Sequence, residues 1–87
     1  MTRVAGAPGE LVQFDQEFLE MISEVPLAPG TPTAIEVEDM ALQGKSQGSK
    51  RLDDGRYRVR FRLINLRREH RERLEALCRE ASTPQGV

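Results

Sequence analysis

Four arginines at alternate positions, Arg56, Arg58, Arg60 and Arg62, are the residues of this chain best equipped to do chemistry. A guanidinium group binds phosphate or carboxylate through parallel N–H bonds, so a row of them along a strand is a candidate surface for an anionic ligand or partner. Arg67 and Arg68 follow closely and extend the candidate surface, and Lys50 and Arg51 precede it. Such a row also arises with no ligand, when acids on a neighbouring strand pair across to it at about 0.2–1 kcal/mol per pair. Glu36 and Glu38 are placed in the sequence to do that. Sheets that bind nucleic acid usually add exposed rings for base stacking. Here Tyr57 and Phe61 alternate with the arginines and fall on the opposite, apolar side. Nucleic acid is therefore not the expected partner.

Nothing else in the chain assembles into a catalytic set, and no enzyme activity, cofactor or metal is expected. His70 is the sole histidine and falls on the apolar stripe of a helical pattern, where a packing role is expected. Cys78 is eight residues further on, outside the i,i+3 or i,i+4 reach of a helical pair. A lone cysteine excludes an internal disulfide and a cysteine-built metal site, and points to a reducing, cytoplasmic setting. The acids at Glu36, Glu38 and Asp39 lack the dense oxygen cage that a hard cation needs. No glycine-rich phosphate loop is present.

Eighty-seven residues make one domain with one thin core. A hydrophobic fraction of 38% beside 31% charged residues belongs to a folded soluble domain. No apolar run approaches the roughly 20 residues of a membrane span, and residues 1–9 lack the apolar centre of a signal peptide. The net charge of −1 hides a split. Residues 1–44 hold one basic residue and eight acids, and residues 45–87 hold twelve basic residues and six acids. Either the second half offers a basic face, or the halves fold together and neutralise each other.

The elements that must carry these residues follow from periodicity. Tyr57, Val59, Phe61 and Leu63 alternate with the arginines and predict a half-buried antiparallel strand with those four in the core. Asp54-Gly55 before it predicts a two-residue hairpin turn, which would set Leu52 opposite Tyr57, Lys50 opposite Val59 and Gly48 opposite Phe61. Asn65 is an acceptable cap for an amphipathic helix whose stripe is Leu66, His70, Leu74, Leu77, Cys78 and Ala81. Residues 34–42 alternate as a strand whose phase flips near Asp39, as a bulge would produce. Pro29-Gly30 suits a type II turn. Residues 10–25 fit either a helix, from Leu11, Phe14, Phe18, Leu19, Ile22 and Val25, or two short strands, and the spacing alone favours the helix. Residues 1–9 read as a flexible lead-in, 10–82 as the domain and 83–87 as a flexible tail.

Three stretches resemble a known family. Pro26-Leu-Ala-Pro-Gly-Thr31 is similar to the Pro-Leu-Pro-Pro-Gly-Thr turn of PilZ domains, Asp54-Gly-Arg-Tyr-Arg-Val-Arg-Phe61 to their last strand, and Asn65-Leu-Arg-Arg-Glu-His-Arg-Glu-Arg-Leu74 to the helix start that follows. The resemblance covers roughly residues 24–78. It implies an α+β, mainly antiparallel domain: a small bacterial six-stranded β-barrel, or an open sheet, packed by a C-terminal helix. The family typically binds cyclic diguanylate through an R-x-x-x-R stretch and a D/N-x-S-x-x-G stretch. In this chain Arg3 is followed by Ala7 at the second arginine position, and Gln13, Asp15 and Phe18 stand where the second motif would align. The resemblance therefore implies a degenerate PilZ-like adaptor, binding another protein such as a motility or type IV pilus component. Cyclic diguanylate binding is the alternative and is not favoured. An open barrel would also let two copies pair along a sheet edge.

Overall fold

The computed structural model describes residues 2–81, which form six strands and one helix. In chain order they are β1 (Arg3–Val4), β2 (Ala7–Asp15), β3 (Phe18–Ser23), β4 (Pro32–Val37), β5 (Met40–Arg51), β6 (Tyr57–Leu63) and α1 (Arg68–Ala81). All neighbours pair antiparallel in the order β1-β2-β3-β6-β5-β4, and the sheet closes into a barrel because β1 pairs with both β2 and β4. Of the two arrangements expected, barrel and open sheet, the barrel is found. The open edge to which a pairing of two copies was tied is closed where β1 meets β4. The lead-in expected over 1–9 contains β1 and the first residues of β2, and β1 is what completes the ring.

β6 lies between β3 and β5 and carries the centre of the core. Val59, Phe61 and Leu63 are buried and Tyr57 packs half-buried against the same cluster, as the alternation predicts. Around them stand Val4, Leu19, Met21, Ile35, Val37, Met40 and Leu42. Each such side chain contributes about 1.5–3 kcal/mol when withdrawn from water. Gly44 on β5 makes room for this packing: a Cβ there would lie 3.3 Å from Phe61 Cβ and 3.0 Å from the Arg62 carbonyl oxygen.

The β5–β6 hairpin has a three-residue loop, one longer than expected. Leu52 N–H donates to the Arg56 carbonyl at 2.7 Å and Gly55 N–H donates back to the Leu52 carbonyl at 3.1 Å, with Gly55 at φ 89°. A tight turn followed by a left-handed glycine is the usual three-residue solution. The extra residue shifts the register: Arg51 faces Tyr57, Lys50 faces Arg58 and Ser49 faces Val59. Lys50 thereby moves to the outside, which the two-residue turn would not have allowed. A bulge between Ser46 and Ser49 shifts the register again and sets Ser46, not Gly48, opposite Phe61.

Residues 10–25 are not a helix. β2 and β3 form a hairpin around Gln16-Glu17, with Gln16 at φ 59°. The helical spacing has a specific origin. A bulge between Leu11 and Gln13 lengthens the step between the half-buried Leu11 and Phe14 to three residues. Leu19 and Met21 then face inward from β3 while Phe18 and Ile22 face outward. Merged along the chain, the two faces of a bulged hairpin imitate i,i+3 and i,i+4 repeats. The phase flip near Asp39 is likewise a turn and not a bulge. Val37 pairs with Met40, so Glu38-Asp39 reverses the chain and both apolar pairs enter the core from separate strands. The Pro29-Gly30 turn forms as expected, with Gly30 at φ 85° and Thr31 N–H donating to the Ala28 carbonyl at 3.1 Å.

The helix starts at Arg68, later than the Asn65 cap predicts, because Asn65 adopts a left-handed conformation (φ 53°) in the bend leaving β6. Leu74 is fully buried, and Leu66 and Leu77 pack beside it. α1 rests on β2, whose outer edge the two-residue β1 covers only at one end. The Phe14 backbone N–H donates to the Cys78 sulfur there. Arg73 reaches Asp39 in the β4–β5 turn, 2.6 Å from Oδ1, and ties the helix to the barrel rim. Replacing Leu74 with alanine should destabilise the domain by about 2–5 kcal/mol, the range for a buried leucine. Thermal denaturation followed by circular dichroism measures it, and a loss below half that value would show that α1 is an accessory.

Candidate functional site

Because β6 is flanked by β3 and β5, its outward residues share one wall with theirs. The rows run Ile22, Arg58, Lys50; then Glu20, Arg60 and the Gln47–Gly48 bulge; then Phe18, Arg62, Lys45. Glu10 and Gln13 on β2 continue the wall beyond β3. The expected partners Glu36 and Glu38 do not reach these arginines. Glu36 lies on β4, in register with Arg3 of β1, and β4 does not touch β6 in the strand order. Glu38 is in the turn after it.

The neutralising acids come from β2, β3 and the turn between them instead, and all three arginines of β6 lean diagonally toward β3 and that turn. Arg58 faces Ile22 but donates to Glu20 at 2.7 Å. Arg62 faces Phe18 but donates to Glu17 at 3.0 Å. Arg60 faces Glu20, yet its guanidinium lies over the Phe18 ring, 4.4 Å from the centroid. That contact contributes about 0.5–1 kcal/mol at an exposed site. Arg56, just before the strand, binds Glu10 and also Asp54, the latter at 2.8 Å. Bonds from the Arg56 backbone N–H and then its guanidinium hold the Asp54 carboxyl below the usual carboxylate range. Glu10 first, and Asp54 second, push the Arg56 guanidinium up from its already high value.

The wall therefore grades from acidic at β2 to basic at β5. Lys45 and Lys50 take part in no ion pair among the described residues. Each borders a shallow depression. One, of about 450 Å³, is lined by Glu20, Gly48, Ser49, Lys50, Arg58 and Arg60. The other, of about 460 Å³, includes Lys45, Gln47, Arg62 and Asn65. The bulge between them is anchored from behind: Gly48 N–H donates to Ser46 Oγ at 3.0 Å, and Ser46 Oγ donates to the Leu27 carbonyl at 3.0 Å.

Four of the six candidate arginines are thus assembled, Arg56 at one end and Arg58, Arg60 and Arg62 along the wall. Arg67 and Arg68 are not part of it. Arg68 pairs with Glu72 on its own helix at 3.3 Å, and Arg67 lines a separate depression of about 370 Å³ with His70, Glu36 and Ala41, beneath the start of α1. Lysines 45 and 50 are the residues that the sequence reading undervalued. Their role depends on the hairpin register, and the two-residue turn had set Lys50 against the core. Among the described residues no three of His, Cys, Asp and Glu converge as metal ligands, and no helix is long and apolar enough to cross a membrane. Burial pushes the Cys78 thiol up, against the opposing bond from the Phe14 N–H.

Two expectations follow from this geometry. Glu20 is the most buried of the paired acids, its side chain 17% exposed. A double-mutant cycle of Glu20→Gln with Arg58→Gln should give a coupling of about 0.5–1 kcal/mol that shrinks in 1 M salt. A coupling of zero would show that packing alone holds the arginine. The raised thiol makes the neutral form of Cys78 the folded form, so its contribution is complete below the ordinary value of 9.0 and is lost as pH rises through the folded value. At pH 8 a thiol reagent should label the native chain at least about tenfold more slowly than the urea-unfolded chain, and equal rates would contradict the burial.

Comparison with protein-family models, with curated proteins and with solved structures finds no match to this chain.

Proposed function

We infer that this chain is a non-enzymatic interaction module of degenerate PilZ type, an adaptor that contacts another protein through the outer wall of β3, β6 and β5. The observation that carries the reading is the surplus of positive charge at the β5 side of that wall, where Lys45 and Lys50 stand beside arginines already engaged elsewhere. The six-stranded barrel with a C-terminal helix agrees with the scaffold that the resemblance implies. The Pro26–Thr31 turn joins β3 to β4, the Arg56–Phe61 stretch runs into the final strand, and residues 65–74 lead into the helix, the order that the resemblance requires. The positions that would hold cyclic diguanylate carry Ala7, Gln13, Asp15 and Phe18, which supports a role other than binding that messenger by the usual motif. A bacterial motility or pilus assembly is the setting this resemblance suggests.

A second reading has its own support. Arg60, stacked on Phe18 beside Lys50 and Arg58, is the kind of group on which a purine could stack while cations hold its phosphate. Calorimetric titration with cyclic diguanylate separates the two. No saturable heat is expected at micromolar concentrations, and binding that disappears when Arg58, Arg60 and Arg62 become lysine would establish the sensor instead. In parallel, the protein captured from cells of the source organism by the wild type should be lost by a folded Arg58→Glu/Arg60→Glu variant. Undiminished capture would move the contact surface elsewhere.

A further inference from the structure

β5 and β6 hold like charges directly opposite each other at two places, Lys50 beside Arg58 and Lys45 beside Arg62. Like charges in cross-strand register destabilise a sheet. Core packing does not call for them, since all four side chains are exposed. The guanidinium groups of Arg58 and Arg62 are drawn off toward Glu20 and Glu17, and the lysines stand without an ion pair among the described residues at the rims of the two depressions. Four residues of strand separate Arg58 from Arg62, about 13 Å at 3.3 Å per residue. Carboxylates at positions i and i+4 of an extended peptide share that spacing and project from one side.

We propose that the β5–β6 wall is a docking strip for an extended acidic segment of a partner protein, taking one carboxylate between Lys50 and Arg58 and another between Lys45 and Arg62. This rests on the reading of the wall as the contact surface and adds the chemistry of what it contacts. A carboxylate bound between two cations relieves a repulsion already present in the free protein. A nucleic-acid strand fits less well. Glu17 and Glu20 stand along the same wall and oppose a continuous line of phosphates, and Phe18 is already covered by Arg60. An acidic segment needs only the two contacts, at Lys50–Arg58 and Lys45–Arg62, and leaves Glu20 and Glu17 in their ion pairs.

The test uses the full chain and a fluorescent peptide of alternating glutamate and threonine long enough to span the strip. The wild type should bind it at about 50 mM salt and lose about tenfold or more in affinity at about 300 mM, where the screening length is shorter. The Lys45→Glu/Lys50→Glu variant should lose binding by at least about tenfold, the effect of turning two attractions into repulsions. Its thermal midpoint should hold or rise, because each new glutamate faces an arginine. That measurement separates lost binding from lost folding, and Lys45→Gln/Lys50→Gln gives the same reading should the charge reversal unfold the chain. A wild type that ignores the peptide, a folded variant that binds it undiminished, or a single-stranded oligonucleotide that outcompetes it would each overturn the proposal. If the peptide fails while Arg58→Glu/Arg60→Glu still abolishes capture of the cellular partner, the acidic segment is wrong and the contact wall stands. If both fail, the wall is not the contact surface.

Discussion

The barrel closes through two residues. A sheet of six strands this short has a free edge at each side unless its first strand meets its fourth, and that meeting consists of Arg3 and Val4 paired with Glu36 and Ile35. Val4 is completely buried, so the closing strand also contributes a wall of the core. Because β1 is so short, most of the outer edge of β2 would present unpaired backbone groups and half-buried Leu11 and Phe14 to water. The helix answers this by lying on β2, burying Leu74 and accepting the Phe14 N–H at Cys78. Open edges invite pairing with other chains. Ring closure and helix docking are thus two parts of one solution.

The pairing of β3 with β6 decides which charges meet. The hairpins β4–β5 and β5–β6 keep the acids of residues 36–39 one strand away from the arginine row. The arginines turn instead to β3 and the turn before it. The chain does neutralise its acidic first half against its basic second half, as one of the two readings of the charge split expects. It does so along the β3–β6 seam, at Arg56–Glu10 beyond it and at Arg73–Asp39 on the barrel rim. The β5 side keeps positive charge, at Lys45 and Lys50, that no fold requirement explains.

The connecting segments reinforce this arrangement. The proline-rich loop after β3 is held by Ser46 and Ser49 of β5, so the bulge beneath the arginine wall has a fixed backing. The described side chains leave no buried polar atom without a hydrogen bond, including Ser23, Ser46 and Thr33 in the barrel. The wall is therefore presented on strands whose inner faces are packed and whose polar groups are satisfied. A surface meant to hold a partner in one geometry needs such support.

Strict local alternation was legible in the sequence by itself. It determined β6, its four inward residues and its outward arginines, because a period of two admits one half-buried strand and little else. Pro29-Gly30 and the amphipathic stripe of α1 were legible for the same kind of reason: backbone preference and period agreed. Only the tertiary structure decided residues 10–25, where a bulge and a tight turn scrambled a period of two into an apparent helix. It also decided the β5–β6 register, since two-residue and three-residue loops both suit Asp-Asp-Gly and differ by a single step that moves Lys50 from the inner face to the outer one. The partners of the arginines were beyond the sequence as well. Ion pairs across a barrel depend on strand order, here on β3 pairing with β6, two strands far apart in the chain.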